Sequence, residues 1–267
     1  MIIDVHTHVF PEKIAARAVS ALAEASKITP VSDGTANDTL RLMNRAGVDR
    51  SVLVSVATKP SQMRTINEFL HSLESDRFVP FGAIYPDADN SEYSILEETE
   101  RISSLGLKGI KLHPEYQNFY PDDEKLYPFY DLCSQLGLPI LFHAGDDLGF
   151  KPPYHGTPDR FAALAKAFPN LKIICAHFGG WRMWVDVEEI LSEYKNIYYD
   201  TAFCSKYLAR ENAERLINKK GVDNIMLGSD IPWEDPKDSI EFIDSLKISD
   251  GDKESILGTN AARIFGI

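Results

Sequence analysis

One unit recurs along this chain. A short run rich in β-branched and aromatic residues precedes a segment with helical spacing, and a glycine falls one or a few residues before the next run. Eight such runs stand out: Ile2 to His6, Ser51 to Val56, Val79 to Tyr85, Lys108 to His113, Pro139 to His143, Lys172 to His177, Ile197 to Thr201 and Ile225 to Asp230. Leu126, Phe129, Tyr130, Cys133 and Leu136 trace a helical stripe closed by Gly137. Phe161, Leu164, Ala165 and Phe168 trace another, with Thr157 as N-cap and Pro158 at the first helical position. Gly47, Gly106 and Gly221 mark similar stops. Strict alternation of strand and helix implies parallel strands joined by right-handed crossovers, and eight units in 267 residues are what a closed (β/α)8 barrel of the α/β class requires. A doubly wound open sheet would place a glycine-rich phosphate loop after the first strand, whereas Val9, Phe10 and Pro11 follow His8. We therefore expect one TIM-barrel domain over residues 1–267. It carries a helical insertion after strand 1, where Ile14, Ala15, Ala18, Val19 and Leu22 keep helical spacing between Pro11 and Ser26.

The barrel reading makes a demand on the histidines, because active sites of this fold lie at the carboxyl ends of the strands. His6 and His8 follow strand one within Asp4-Val5-His6-Thr7-His8, where alternation points Asp4, His6 and His8 to one face. His113 ends strand four, His143 strand five and His177 strand six, while Asp230 closes strand eight. Any one of these, taken alone, reads as a packing residue. As a set they surround one mouth, and imidazoles with a carboxylate are what a zinc-like ion takes as ligands. His71, off the apolar stripe of its segment, reads as a solvated helix residue, and Asp122, Asp123 and Glu124 as a helix N-terminus. Tyr154 and His155 read as loop packing.

Composition excludes other classes. A net charge of −12 with no Lys/Arg cluster argues against nucleic acid, and no apolar stretch is long enough to span a bilayer. Cys133, Cys175 and Cys204 are odd in number and lie in apolar surroundings, which suits buried thiols in a reducing compartment. Met1 leads directly into a strand pattern, so the expected location is the cytoplasm.

With these residues in hand, the chain resembles the metal-dependent amidohydrolase superfamily, and more narrowly its aminocarboxymuconate-semialdehyde decarboxylase-like, amidohydrolase-related branch. The resemblance also rests on Gly109-Ile110-Lys111-Leu112-His113-Pro114, on His177-Phe178-Gly179-Gly180, and on the closing run from Gly258 to Gly266. It implies that His6, His8, His143 and Asp230 hold one divalent ion, zinc or alternatively manganese. Asp230 would act as ligand or base, and His177 would polarise a substrate carbonyl or shuttle a proton. Lys111, His113 and Arg182 would contact substrate. In binuclear members a lysine ending strand four is carboxylated and bridges two ions, so a carboxylated Lys111 would bring a second ion. The implied function is a hydrolase in which metal-activated water attacks a small amide, lactone or ester. The alternative is a non-oxidative decarboxylase of a small carboxylic acid, and the third reading is a non-catalytic metal-binding barrel. The compact length favours hydrolysis among these, since the decarboxylases carry longer loops. The expected partner is a small-molecule substrate, with a homodimer as the assembly. Aromatic-, Gly- and Pro-rich loops at 116–120, 146–155, 181–184 and 231–235 would set specificity.

Overall fold

The computed structural model describes residues 1–87 and 94–267. The first half runs β1 (Ile3–His8), α1 (Glu12–Ser26), α2 (Ala36–Ala46), β2 (Arg50–Val54), α3 (Met63–Ser72), β3 (Phe78–Pro80), β4 (Gly82–Ala83), α4 (Ile95–Ser104), β5 (Ile110–Leu112), α5 (Pro114–Gln117) and α6 (Tyr127–Leu136). The second runs β6 (Ile140–Phe142), α7 (Pro158–Ala167), β7 (Ile173–Cys175), α8 (Trp184–Asp186), β8 (Ile197–Asp200), α9 (Arg210–Lys220), β9 (Ile225–Met226), α10 (Pro236–Asp244), α11 (Asp250–Glu254) and α12 (Asn260–Phe265).

Every ladder is parallel. The expected third strand is split into β3 and β4, which belong to different sheets. Pro80 has no N–H to give at that point, and the chain turns across Phe81. Phe81 N–H still donates to Leu53 (2.9 Å), and Gly82 N–H donates to Gly109 on the other side (2.8 Å), so one barrel position is shared. The ends of the chain close the cylinder. Val5 N–H donates to Leu227 (2.8 Å), His8 N–H donates to Ile231 (2.7 Å), and Thr7 and Ile231 form a parallel bridge. The result is a (β/α)8 barrel, as the alternation of strand and helix required.

Val5, Val52, Val54, Phe81, Leu141, Ile174 and Met226 pack into one buried cluster with Ala261, Ile264 and Phe265 of α12. Lys172, just ahead of β7, donates to the Ile264 carbonyl (3.1 Å), so α12 plugs the amino-terminal end of the barrel. A larger shell, including Leu112, Phe129, Tyr130, Phe142 and Phe161, lies between strands and helices. Leu136 and Ile14, assigned to apolar stripes, are instead 38% and 40% exposed, each at the outer edge of its stripe. Gly137 closes α6 with φ +69°, as its spacing suggested, and Thr157 caps α7 in extended backbone without a side-chain bond to it. His71 is exposed beside Glu74. Asp123 caps the turn before α6 by accepting from Lys125 N–H, while Asp122 pairs with Arg160 (2.8 Å).

The carboxyl end of the barrel is built tightly. Gly145, with φ +88°, bridges to Trp181, and a Cβ there would stand 2.2 Å from the Trp181 nitrogen and 2.4 Å from its oxygen. Gly145→Ala is expected to destabilise the fold by on the order of 3 kcal/mol, combining backbone strain with the rupture of this bridge. A urea midpoint within error of the parent would contradict that packing.

Candidate metal centre and active site

The histidine-rich end of β1 is shaped by a bulge. Pairing with β2 advances three residues on β1, from Asp4 to Thr7, for two on β2. This shifts the phase of the alternation, so Asp4 does not share the pocket with His6 and His8 as strict period two predicts. Asp4 is fully buried and accepts from His6 N–H (3.2 Å), from Ser229 N–H (2.9 Å) and from the Ser229 hydroxyl. It thereby fastens the turn that carries Asp230, whose N–H donates to the His6 carbonyl (2.8 Å). Asp230 and His177 both adopt positive φ, +71° and +61°, a backbone strain concentrated at this mouth.

His6 Nε2, His8 Nε2 and Asp230 Oδ1 form a triangle with edges of 3.2, 3.5 and 3.2 Å. Ligands about 2.0–2.1 Å from a tetrahedral ion stand ~3.3 Å apart, so the triangle has the dimensions of three zinc-type ligands. The tautomer also fits. Asp200 Oδ2 can only accept, so His6 Nδ1–H donates to it (2.9 Å) and the Nε2 lone pair faces the pocket. Asp200 also accepts from the backbone N–H of His177 (2.8 Å) and Ala202 (3.0 Å). Its signal in the sequence was its place at the end of a strand, the rule that singled out the other site residues.

His143 does not join that triangle. Its Nδ1 faces His177 Nε2 at 3.1 Å, and its Nε2 lies 3.2 Å from the Asp146 carbonyl and 3.8 Å from Asp147. His177 Nδ1–H donates to the Ala202 carbonyl (2.9 Å), leaving Nε2 to accept from His143 Nδ1–H. His143 Nε2 is then a lone pair confronting a carbonyl oxygen, a buried acceptor in want of a proton or a cation. With His113 and Asp147 it forms a second group of converging donors. Lys111 Nζ lies 3.0 Å from His6 Nε2 and is 1% exposed. His113 lines the same cavity, stacked on His143 at 4.2 Å and 3.3 Å from Asp147. Arg182 does not line it. It is 60% exposed and pairs with Asp146 (3.2 Å), which holds that loop from outside. Tyr154 and His155 also lie off the cavity, with His155 bonded to buried Glu115 (2.7 Å).

The cavity measures about 250 Å³. Each of the four expected loops contributes, through Tyr116, Asp146 to Leu148, Trp181 and Trp233, and α1 supplies Leu22 and Ser26 as a wall. No helix among the described residues is long and apolar enough to cross a membrane. All three cysteines are free and buried.

Burial governs the electrostatics. It pushes His6 well below the ordinary imidazole range, with the Lys111 charge adding to the effect. It pushes His8 and His143 to about 3, and His113 and His177 to about 4. Metal ligation requires neutral imidazoles, so this environment favours the ligating form. Burial lowers Lys111 to about 8 and raises Asp230 to about 7. Burial also pushes Asp147 upward, but its hydrogen bond to His113 and the nearby imidazoles outweigh that and keep it below the usual carboxylate range. One prediction concerns acid. Between pH 6.5 and about 4 the unfolded chain binds protons that the folded imidazoles refuse, so stability rises with pH there and is lost as pH falls. The slope is about 1.4 kcal/mol per pH unit for each such group. Asp4, raised by burial to about 6, and Asp230 and Glu234, raised to about 7, hold protons over the same range and act with the opposite sign. Urea midpoints of ion-free protein should therefore fall only shallowly from about pH 7 to 4.5. The direct check is an NMR titration, in which these imidazoles protonating above about pH 6 would contradict neutral burial.

The amidohydrolase family profile matches residues 3–267. A 2-amino-3-carboxymuconate-6-semialdehyde decarboxylase of Dictyostelium discoideum is 25% identical over 272 residues, covering 84% of this chain and 75% of the relative. Among solved structures, an uncharacterized TIM-barrel protein from Bordetella bronchiseptica superposes with a TM-score of 0.81 at 20% identity, over 99% of this chain and 98% of that one. A dihydroxybenzoic acid decarboxylase from Polaromonas sp., with bound manganese and the inhibitor 2-nitroresorcinol, superposes with a TM-score of 0.72 at 18% identity, over 99% and 96%. A profile spanning nearly every residue, on a barrel whose mouth gathers the strand-end histidines, places this chain in the amidohydrolase family.

Proposed function

We propose that this protein is a metal-dependent, non-oxidative decarboxylase acting on a small carboxylic acid. The observation that carries the reading is Lys111, a buried cation 3.0 Å from the triangle of His6, His8 and Asp230, at the base of a cavity walled by Phe10, Tyr116, Trp181, Phe203 and Trp233. An ammonium beside a donor set suits a substrate carboxylate held next to an ion, and aromatic walls suit a planar body. The curated relative named as a decarboxylase supports the same reaction class. The length argument for hydrolysis keeps some weight, because the 272-position alignment to the Dictyostelium decarboxylase covers 84% of this chain and so leaves extra residues in that relative's loops, but the buried cation beside the donor set outweighs it.

His6, His8 and Asp230 would hold the ion, with His143 completing the set if its ring turns Nε2 inward. A divalent ion there supplies positive charge against the developing charge of the substrate. Zinc and manganese both suit two imidazoles and a carboxylate, and the manganese of the Polaromonas structure supports the second. Loss of carbon dioxide leaves an electron pair on carbon that a proton must neutralise. Asp230 and His177 line the cavity beside the donor set and are the groups placed to relay it, His177 through the proton it shares with His143 Nδ1. Asp200 keeps His6 in its tautomer.

Hydrolysis is the second reading, favoured by the position of the Asp230 carboxylate as a base beside the donor set. A panel of hydroxybenzoates and dienoic acids against lactones and N-acyl compounds separates the two. Release of carbon dioxide with Mn2+- or Zn2+-loaded protein is the expected result. Turnover confined to lactones or N-acyl compounds would overturn it.

A further inference from the structure

We infer that the cavity selects a carboxylate bearing a single negative charge and a hydroxyl or amino group that donates to Asp147. The inference deepens the decarboxylase reading and rests on its placement of the carboxylate at Lys111. Of the described residues lining the cavity, Lys111 is the one lysine or arginine, while three carboxylates, Asp146, Asp147 and Asp230, share the lining. Residues 88–93, outside the description, contain no Lys or Arg. Arg182, the arginine expected from the sequence to grip an anion, pairs with Asp146 and faces outward. The cavity is therefore bipolar, with a cation at the base and an anion on the wall.

Asp147 is built to receive a donor. Its Oδ1 accepts from Gly149 N–H (2.7 Å), which fixes the carboxylate. Its Oδ2 lies 3.3 Å from His113 Nε2, and Tyr116 closes edge-on over His113 at 4.6 Å between centroids. His113 thus acts as a positioning residue for Asp147. An oxygen with its own bonds in place retains a lone pair for an O–H or N–H of a ligand, and a carboxylate facing a second carboxylate is repelled in a site that water leaves. A site that hydrogen-bonds a substrate donor also rejects the analogue lacking it, because the acceptor is left unpaired.

The test measures binding by calorimetry to Mn2+-loaded protein, using benzoate, the three monohydroxybenzoates and the three benzenedicarboxylates. The best hydroxybenzoate is expected to bind about 10-fold or more tighter than benzoate, and every benzenedicarboxylate about 10-fold or more weaker. In Asp147→Ala the hydroxyl preference should fall to within about threefold. In the near-isosteric Asp147→Asn, which guards against a folding defect, the penalty on a second carboxylate should fall likewise. A benzenedicarboxylate that binds wild-type protein as well as benzoate does would overturn the inference, as would ratios unchanged in both variants. Because binding is read apart from turnover, these ratios stand or fall whether or not carbon dioxide is released.

Discussion

Asp230→Asn is expected to lower turnover by about 10²- to 10⁴-fold while leaving the fold intact, the range associated with removing a positioned acid or base. The amide keeps the size of the carboxylate and its backbone bond to His6, so the turn pinned by Asp4 should persist. What it removes is the titratable oxygen 3.2 Å from His8 Nε2 and 3.5 Å from His6 Nε2. The amide can still offer its carbonyl oxygen as a weak ligand, so metal content should fall less than rate. Rate and metal content falling in strict proportion would mean that Asp230 serves only as a ligand. Full retained activity would remove it from the chemistry altogether. Circular dichroism and the urea midpoint serve as controls for the fold.

The second large effect is expected on stripping the ion. Metal analysis of loaded wild-type protein should return about one equivalent per chain, and the double variant His6→Ala, His8→Ala near none. An ion at about 1,000 times its dissociation constant stabilises the folded state by about 4.1 kcal/mol, which for a chain of this size raises the unfolding midpoint by on the order of 10 °C. Chelation should abolish that increment in wild type and change nothing in the double variant. Two equivalents, with an intact mass showing carboxylated Lys111, would move Lys111 from the substrate to the ions. A midpoint insensitive to added Zn2+ and Mn2+ would contradict the site itself.

How much of this was legible in the sequence follows from what each signal measures. Strand ends were readable because β-rich runs stop at turn residues, and the barrel places those ends together, so His6, His8, His113, His143, His177 and Asp230 all reach one cavity. Phase was not readable. The bulge in β1 depends on pairing with β2 and Ser229, and it removed Asp4 from a face that simple alternation assigned to it. Ring orientation was equally hidden, since the partners of His143 are Asp146, Asp147 and His177 on later segments. Arg182 illustrates a third limit. A long side chain after a strand end has the reach for the cavity, but positive φ and an outside partner in Asp146 direct it elsewhere. Asp200 obeys the strand-end rule, but a lone aspartate without a neighbouring histidine gives no signal of its own until the fold brings His6 to it.

The seam between β1 and the turn beyond β9 joins residues more than two hundred positions apart, and the donor triangle straddles it. Tight capture of an ion is therefore available only to a molecule that has finished shutting its own ring. Cation uptake during refolding should lag behind helix formation and coincide with the last cooperative step, which makes the ion a built-in reporter of completion.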